Sequence, residues 1–259
     1  MSADLVPDDL WERAAPLLPA RPARRHRYPG QLPVDDRAAL RGIVYVLRTS
    51  VSWRDVPAEL VGCSGVTAWR RLRDWTEAGV APLARGTSRG TAQRGPAGDG
   101  RRRDRRLARQ GAQRGAHTGP SPVDRARPGS KHHLIVDRHG TPLVVSLTSG
   151  NRHDVTQLMP LLDAIPHIRG LRGRPRHRPQ RLCADRGYDY DKYRRLARAR
   201  GITPKIARRG TPHGSGLGKT RWVVERTFAW LHQFKRLRIR YEIRADLHLG
   251  LLQLACSII

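Results

Sequence analysis

Arg181-Leu182-Cys183-Ala184-Asp185-Arg186-Gly187-Tyr188-Asp189 reads as a short apolar strand that ends in a carboxylate. Further along, Arg221-Trp222-Val223-Val224-Glu225-Arg226-Thr227-Phe228 reads as a helix with a lone Glu one turn after an Arg. Two carboxylates brought together in a strongly basic chain point to a magnesium site acting on phosphodiesters. A pair of metal ions there stabilises both the attacking and the leaving oxygen.

Composition points the same way. Lys and Arg number 50 against 22 Asp and Glu, a formal charge of +28 over 259 residues. Charge this one-sided attracts polyphosphates through counterion release and long-range steering. A wholly disordered basic chain is disfavoured, because 38% of residues are apolar and six are Trp. Cys63, Cys183 and Cys256 lack ligand-like spacing and read as reduced, buried thiols, so a cytoplasmic, nucleoid-associated protein is expected. The acidic start, Met1 to Asp9, has no apolar core of the signal-peptide kind. Leu247–Ile259 is apolar but short of the ~20 residues that span a bilayer. It is expected to be a core helix, and no membrane partner is expected.

Residues 1–80 read as an all-helical DNA-binding module. Asp8-Asp9-Leu10-Trp11-Glu12-Arg13 opens a helix with acids in its first turn, where the macrodipole favours them. Asp35 to Leu47 repeats the pattern, with Leu40, Ile43, Val44 and Leu47 on one face. A turn at Gly62-Cys63-Ser64 leads into Val66 to Trp75, capped by Ser64. Val66, Trp69, Leu72 and Trp75 are expected to face the core, leaving Thr67, Arg70, Arg71 and Arg73 to DNA. This is the layout of a helix-turn-helix; the alternative is an Arg-rich solvated face. Lys131, Arg221 and Lys235 are further expected DNA contacts.

Between Arg85 and Arg114 the character changes. Ten Arg, two Asp and one large apolar residue, Leu107, cannot bury a core. Residues 81–114 therefore read as an anomalous Arg/Gly-rich, disordered segment.

Order is expected to return in residues 115–259. Lys131–Asp137 and Leu143–Thr148 read as a strand hairpin, turned at Arg138-His139-Gly140-Thr141-Pro142. A helix follows at Gln157–Leu162, a strand at Gln180–Ala184, a basic helix from Tyr190 to Arg200 stopped by Gly201, and a strand at Ile202–Ile206. This order resembles the ribonuclease H-like core of DDE transposases from bacterial insertion sequences. The segments Gly129-Ser130-Lys131-His132-His133-Leu134-Ile135-Val136-Asp137, Gly150-Asn151-Arg152-His153-Asp154, Ala184 to Asp189 and Trp222 to Phe228 are similar to that family's motifs. The helical start is similar to the domain that precedes the core in its small members. The implied class is α+β, a helical module followed by an α/β core.

The resemblance implies that Asp185 is the second catalytic Asp and Glu225 the catalytic Glu, both holding Mg2+ (or Mn2+). It implies cleavage at the terminal inverted repeats of an element, attack of the freed 3′-hydroxyl on target DNA, and a homo-oligomer assembled on DNA. Helical spacing places Arg221, Glu225 and His232 on one face, with Arg221 placed to orient Glu225 or hold a phosphate. Asp189 and Asp191 read as capping or surface residues, and Asp137 as a hairpin residue that is no ligand. His132, His133 and His153 match no common zinc spacing.

The family's first catalytic Asp, in a segment like Ile-Asp-Gly-Ser-His-Val, is missing before Gly115. With suitable synonymous codons, reading Asp104 to Arg114 one base later yields Ile-Asp-Gly-Ser-His-Val-Lys-Ala-Leu-Lys. The same shift over Val80 to Arg89 can yield an amphipathic helix. Two compensating frameshifts, near Val80 and near Gly115, are therefore expected to have cost the core its first strand and its first Asp. Asp99 and Asp104 are the candidate substitutes. The expected outcome is impaired transposition; the alternatives are a catalytically dead DNA-binding remnant and a nuclease without strand transfer.

Overall fold

The computed structural model describes residues 4–20, 27, 32–79, 100–102, 109–110, 115–122, 125–168, 174–210 and 218–259. Four helices come first: α1 (Asp8–Ala14), α2 (Asp36–Thr49), α3 (Ala58–Val61) and α4 (Gly65–Glu77). Local chemistry sets their ends. Asp35 caps α2 by accepting from the Ala38 amide at 3.2 Å, and Ser50 ends it in the left-handed region at φ 66°. Ser64 caps α4 through the Thr67 amide at 3.2 Å. Gly65 is required there, since a Cβ would lie 1.8 Å from the Trp53 carbonyl oxygen.

Helices α2 and α4 cross closely, a Cβ on Gly42 falling 2.8 Å from that of Ala68. The buried face of α4 is Gly65, Ala68, Leu72 and Trp75. Val66, expected inside, is exposed, and Trp69 is half-buried. The reason is rotational: the close approach to α2 is made through Ala68, which turns Val66 outward.

The strands are β1 (Gly100–Arg102), β2 (Arg109–Gln110), β3 (Gly119–Pro120), β4 (Pro128–Val136), β5 (Pro142–Ser149), β6 (Arg181–Ala184) and β7 (Thr203–Ile206). The hairpin β4–β5 is antiparallel, with a register irregularity at Ile135/Val136. Beyond β4 come β1, β6 and β7, the last three parallel. Strands β2 and β3 pair with the start of β4. Helices α5 (Leu158–Asp163), α6 (Asp191–Ala199), α7 (Gly218–Gln233) and α8 (Ala245–Ile258) complete the chain. The molecule is thus a mixed α+β structure.

The first core strand, expected to be lost, has a short counterpart. The backbone of Gly100–Arg102 lies between β4 and β6, with Arg101 opposite both Val136 and Cys183. Main-chain N–H and C=O groups satisfy the two open edges whatever side chains they carry. The rest of segment 81–114, apart from Arg109–Gln110, lies outside the described residues, as do Asp99, Asp104 and Val80, near which the first frameshift is expected.

Two apolar clusters form. Ile135, Leu158, Leu161, Leu182, Tyr188, Ala197 and Ile206 build one beneath the β6 side of the sheet. The other joins Leu10, Leu40, Ile43, Leu47 and Leu72 of the N-terminal helices to Leu134, Val224, Leu231, Leu251 and Leu254. Leu247–Ile259 is indeed a core helix, since α8 packs against α4 and β5. No helix among the described residues is long and apolar enough to cross a membrane.

Candidate active site

Asp185 sits where β6 ends. Leu182, Cys183 and Ala184 are buried in the sheet, so the chain must leave the sheet at the next residue, and Asp185 becomes half-buried. Its Oδ1 accepts from the Arg186 amide at 2.7 Å, capping a single 3-10 turn, Arg186–Tyr188. Arg102 pairs with Ala184, the residue before Asp185, on the neighbouring parallel strand.

Glu225 lies on α7, which packs against β1 and β6. Val223, Val224, Thr227 and Leu231 face inward, and Glu225 is exposed. The helix is pinned to the hairpin turn. Thr227 Oγ1 donates to the Gly140 carbonyl at 2.7 Å, and Arg226 donates to the His139 carbonyl. Gly140 has φ 92°, and a Cβ on it would lie 2.9 Å from Thr227 Oγ1; glycine is therefore needed twice over. The Arg226 guanidinium lies over both Trp222 (4.5 Å) and Trp230 (4.7 Å), an aromatic ladder beside Glu225.

The remaining expected site residues fall as follows. Arg70 and Lys235 are exposed. Thr67 is half-buried and its hydroxyl bonds Ser64 at 3.0 Å. Arg71 pairs with Asp36 at 3.4 Å, tying α4 to α2, and Arg73 turns onto Asp74 at 2.7 Å. Lys131 is only 16% exposed and donates to Asp154 at 2.8 Å and the Arg152 carbonyl at 3.0 Å. Its charge is spent within the fold. The side chain of Arg221 lies outside the description, and His232 is half-buried on the same helix.

Asp189, expected as a capping or surface residue, is the C-cap of the 3-10 turn Arg186–Tyr188, and it is not at the surface: its side chain is 5% exposed. It accepts from Arg194 Nε and from the Arg209 amide, each at 2.7 Å, with Arg208 at 3.5 Å. Burial pushes the carboxyl up, but the Arg209 amide, Arg194 and the Arg208 charge outweigh it and hold the group below the usual carboxylate range. The Asp185 turn must close against the loop after β7, and that closure draws Asp189 inside. Asp191, by contrast, is exposed in the first turn of α6 and pairs with Arg208 at 2.6 Å.

Asp137 accepts from the amides of His139 (2.8 Å) and Thr141 (2.9 Å), closing the hairpin turn. The three histidines separate: His132 meets His248 at 2.9 Å, His133 meets Thr148 at 2.6 Å, and His153 meets Tyr190 at 3.0 Å. The three cysteines are buried thiols outside any disulfide. Burial pushes the Cys256 thiol up strongly, and burial likewise raises Cys63 against the opposing Ala68 amide.

Sequence reasoning missed a buried ionic network. Glu242 Oε1 accepts from Arg236 Nε (2.9 Å) and Nη2 (2.8 Å), and His248 Nδ1 faces its other oxygen at 3.5 Å. Arg240, wholly buried, donates to Thr118, Ser130 and the Glu242 and Ile243 carbonyls. The alternation Ile239, Arg240, Tyr241, Glu242, Ile243 suggests apolar residues inside. The structure inverts it, exposing the three apolar residues. The unusual apolar face was the only available signal.

Asp185 and Glu225 are hard oxygen donors on adjoining elements, which suits a magnesium-type ion. Among the described residues no three His, Cys, Asp or Glu side chains converge to hold a metal. The two carboxylates are of a kind that fits a divalent ion, and among the described residues no third joins them.

Comparison with known proteins gives the family. Residues 91–259 match the family described as "Transposase DDE domain", and residues 6–82 match "Putative transposase of IS4/5 family". The chain is 58% identical over 186 residues to "Putative transposase for insertion sequence element IS402" of Burkholderia cepacia, covering 70% of this chain and 85% of that protein. A 16.2 kDa protein of the same element is 57% identical over 81 residues, covering 31% of this chain and 54% of its own length. The transposase for insertion sequence element IS1106 of Neisseria meningitidis serogroup B is 28% identical over 136 residues, covering 47% of this chain and 43% of that protein. The chain belongs to the DDE transposase family of insertion sequences.

Proposed function

We propose that Asp185 and Glu225 are two carboxylates of a DNA strand cleavage and transfer site, and that this chain, lacking a third, works poorly. One observation carries the reading: Asp185 projects from the end of β6 beside short β1, and the helix bearing Glu225 packs against both strands. The strand order supports a ribonuclease H-like core. Bound there, Mg2+ (or Mn2+) would polarise the scissile phosphate and activate the attacking water. The chain's own residues orient the site. The capped turn directs Asp185, and the Thr227 and Arg226 bonds to the hairpin set the rotation of the helix carrying Glu225. The charge of +28 would hold DNA, from the element's terminal repeats or the target, and a homo-oligomer would pair two ends.

The second reading is a DNA-binding remnant. It is favoured by the cations Arg103, Arg105 and Arg106, which stand in sequence where the first Asp is expected. The deciding experiment is cleavage of end-labelled element termini in magnesium by the parent, Asp185→Asn and Glu225→Gln. Cleavage and joining by the parent, lost in both variants, supports the enzyme. Salt-sensitive binding without cleavage supports the remnant, and cleavage without joined product supports a nuclease. A flat salt response would count against the DNA assignment altogether.

A further inference from the structure

We infer that Asp189 and Arg209 are positioning residues that clasp the turn carrying Asp185 to the loop that follows β7. The inference deepens the active-site reading just proposed and rests on it for its function, although not for its geometry.

The turn after Asp185 is weak by itself. It is a single 3-10 turn, closed by the Tyr188 amide on the Asp185 carbonyl at 2.9 Å and the Asp189 amide on the Arg186 carbonyl at 3.1 Å. So short a turn has poor hydrogen-bond geometry. Left alone it would let the Asp185 carboxylate wander.

A reciprocal pair of contacts holds it. The Asp189 carboxylate accepts from the Arg209 main-chain amide at 2.7 Å. The Arg209 guanidinium reaches back to the Gly187 carbonyl at 3.2 Å and the Arg186 carbonyl at 3.4 Å. The Arg186 carbonyl already accepts the turn's own Asp189 amide, so the guanidinium adds a second donor to it and a side-chain donor to the Gly187 carbonyl. The guanidinium also lies 4.3 Å over the Tyr190 ring, which fixes its plane. On the inner side, Arg194 joins Asp189 at 2.7 Å to the Ile206 carbonyl at 2.7 Å. The Asp185 turn, the end of β7 and the start of α6 thus share one buried carboxylate.

Two features separate this clasp from ordinary packing. Arg209 is exposed and belongs to neither apolar cluster, so its contacts serve the turn rather than the core. Its segment, Ala207–Gly210, is also the last described stretch before α7, the helix that bears Glu225. The clasp therefore fixes the origin of the Asp185 carboxylate against the end of β7. A group that orients a metal-binding carboxylate from behind typically changes metal affinity by about 10–100-fold when removed.

The test uses the full chain with nitroxide labels on Asp185→Cys and Glu225→Cys, the three native thiols being buried. The distribution of distances between the labels is read by pulsed electron resonance, with and without Arg209→Ala or Asp189→Asn. The expected result is a broader or shifted distribution in both. In chains that keep both carboxylates, Mn2+ affinity should fall about tenfold or more, while the urea midpoint of Arg209→Ala stays near the parent's. An unchanged distribution in Arg209→Ala would overturn the inference, whatever happened to stability. If Asp189→Asn does not fold, Arg209→Ala decides alone. A parent that binds no Mn2+ but whose distances respond to Arg209→Ala would defeat the metal reading and leave the clasp standing.

Discussion

Glu242→Ala should destabilise the protein more than any exposed charge change. Glu242 and Arg236 side chains are 3% and 7% exposed and joined by two bonds of 2.8–2.9 Å to one carboxylate oxygen. Removing one partner of such a pair strands the other charge in a low-dielectric site, at a cost of about 3–5 kcal/mol. Arg236 would keep the Val51 carbonyl at 3.2 Å and the Tyr241 ring at 4.5 Å. Neither contact neutralises it. With an m-value of about 3 kcal/mol/M for a chain of this size, a loss of ~4 kcal/mol lowers the urea midpoint by ~1.3 M. The assay is urea unfolding followed by Trp fluorescence and far-ultraviolet circular dichroism together. Both probes should shift as one transition, because the N-terminal helices and α7–α8 share one apolar cluster. Arg236→Met with Glu242→Leu should recover much of the loss, since an apolar pair of similar volume avoids the desolvation penalty. Asp246→Asn, breaking a pair that is 41% and 45% exposed, is the control, expected within ~1 kcal/mol. A Glu242→Ala loss as small as the control's would refute the argument. So would a transition that splits with only one part shifted.

Gly140→Ala combines a left-handed backbone (φ 92°) with a 2.9 Å approach to Thr227 Oγ1, and should lower stability by about 1–3 kcal/mol. An unchanged melting temperature would show that the hairpin turn does not restrain α7. Asp189 and Glu242 both have carboxyls held below their usual range: burial raises each, and amide, Arg and His partners overcome it. A depressed folded-state pKa stabilises above the unfolded value, about 4, and that stability is lost as pH falls through the folded value. The urea midpoint should therefore fall steeply below about pH 4, and Asp189→Asn should flatten that limb; an identical acid limb in the variant would contradict the placement. Finally, Arg70→Ala should reduce the salt slope of DNA binding by about 1 without changing stability. Arg71→Ala should loosen the contact with Asp36. Equal behaviour of the two variants in urea unfolding would contradict the division of roles.

Periodicity and punctuation determined most of the elements. The β4–β5 hairpin, β6 ending at Asp185, α6 stopped at Gly201 and the core helix at the C-terminus were all legible, because each depends on neighbours in sequence. The family was legible for the same reason: its motifs are contiguous words. What tertiary structure alone decided was which charges lie inside. Asp189, Arg194, Arg236, Arg240 and Glu242 are indistinguishable from surface residues by local pattern, and their partners stand up to 185 residues away, as with Arg236 and Val51. Nothing local to Lys131 and Arg71 shows that Asp154 and Asp36 are brought to them. The backbone of Gly100–Arg102 occupies the gap between β4 and β6. Sheet edges recruit any main chain with free amides and carbonyls, whereas a catalytic carboxylate must be written in the sequence. Local chemistry fixes where a chain bends and pairs; burial of charge follows only from which distant partners folding delivers.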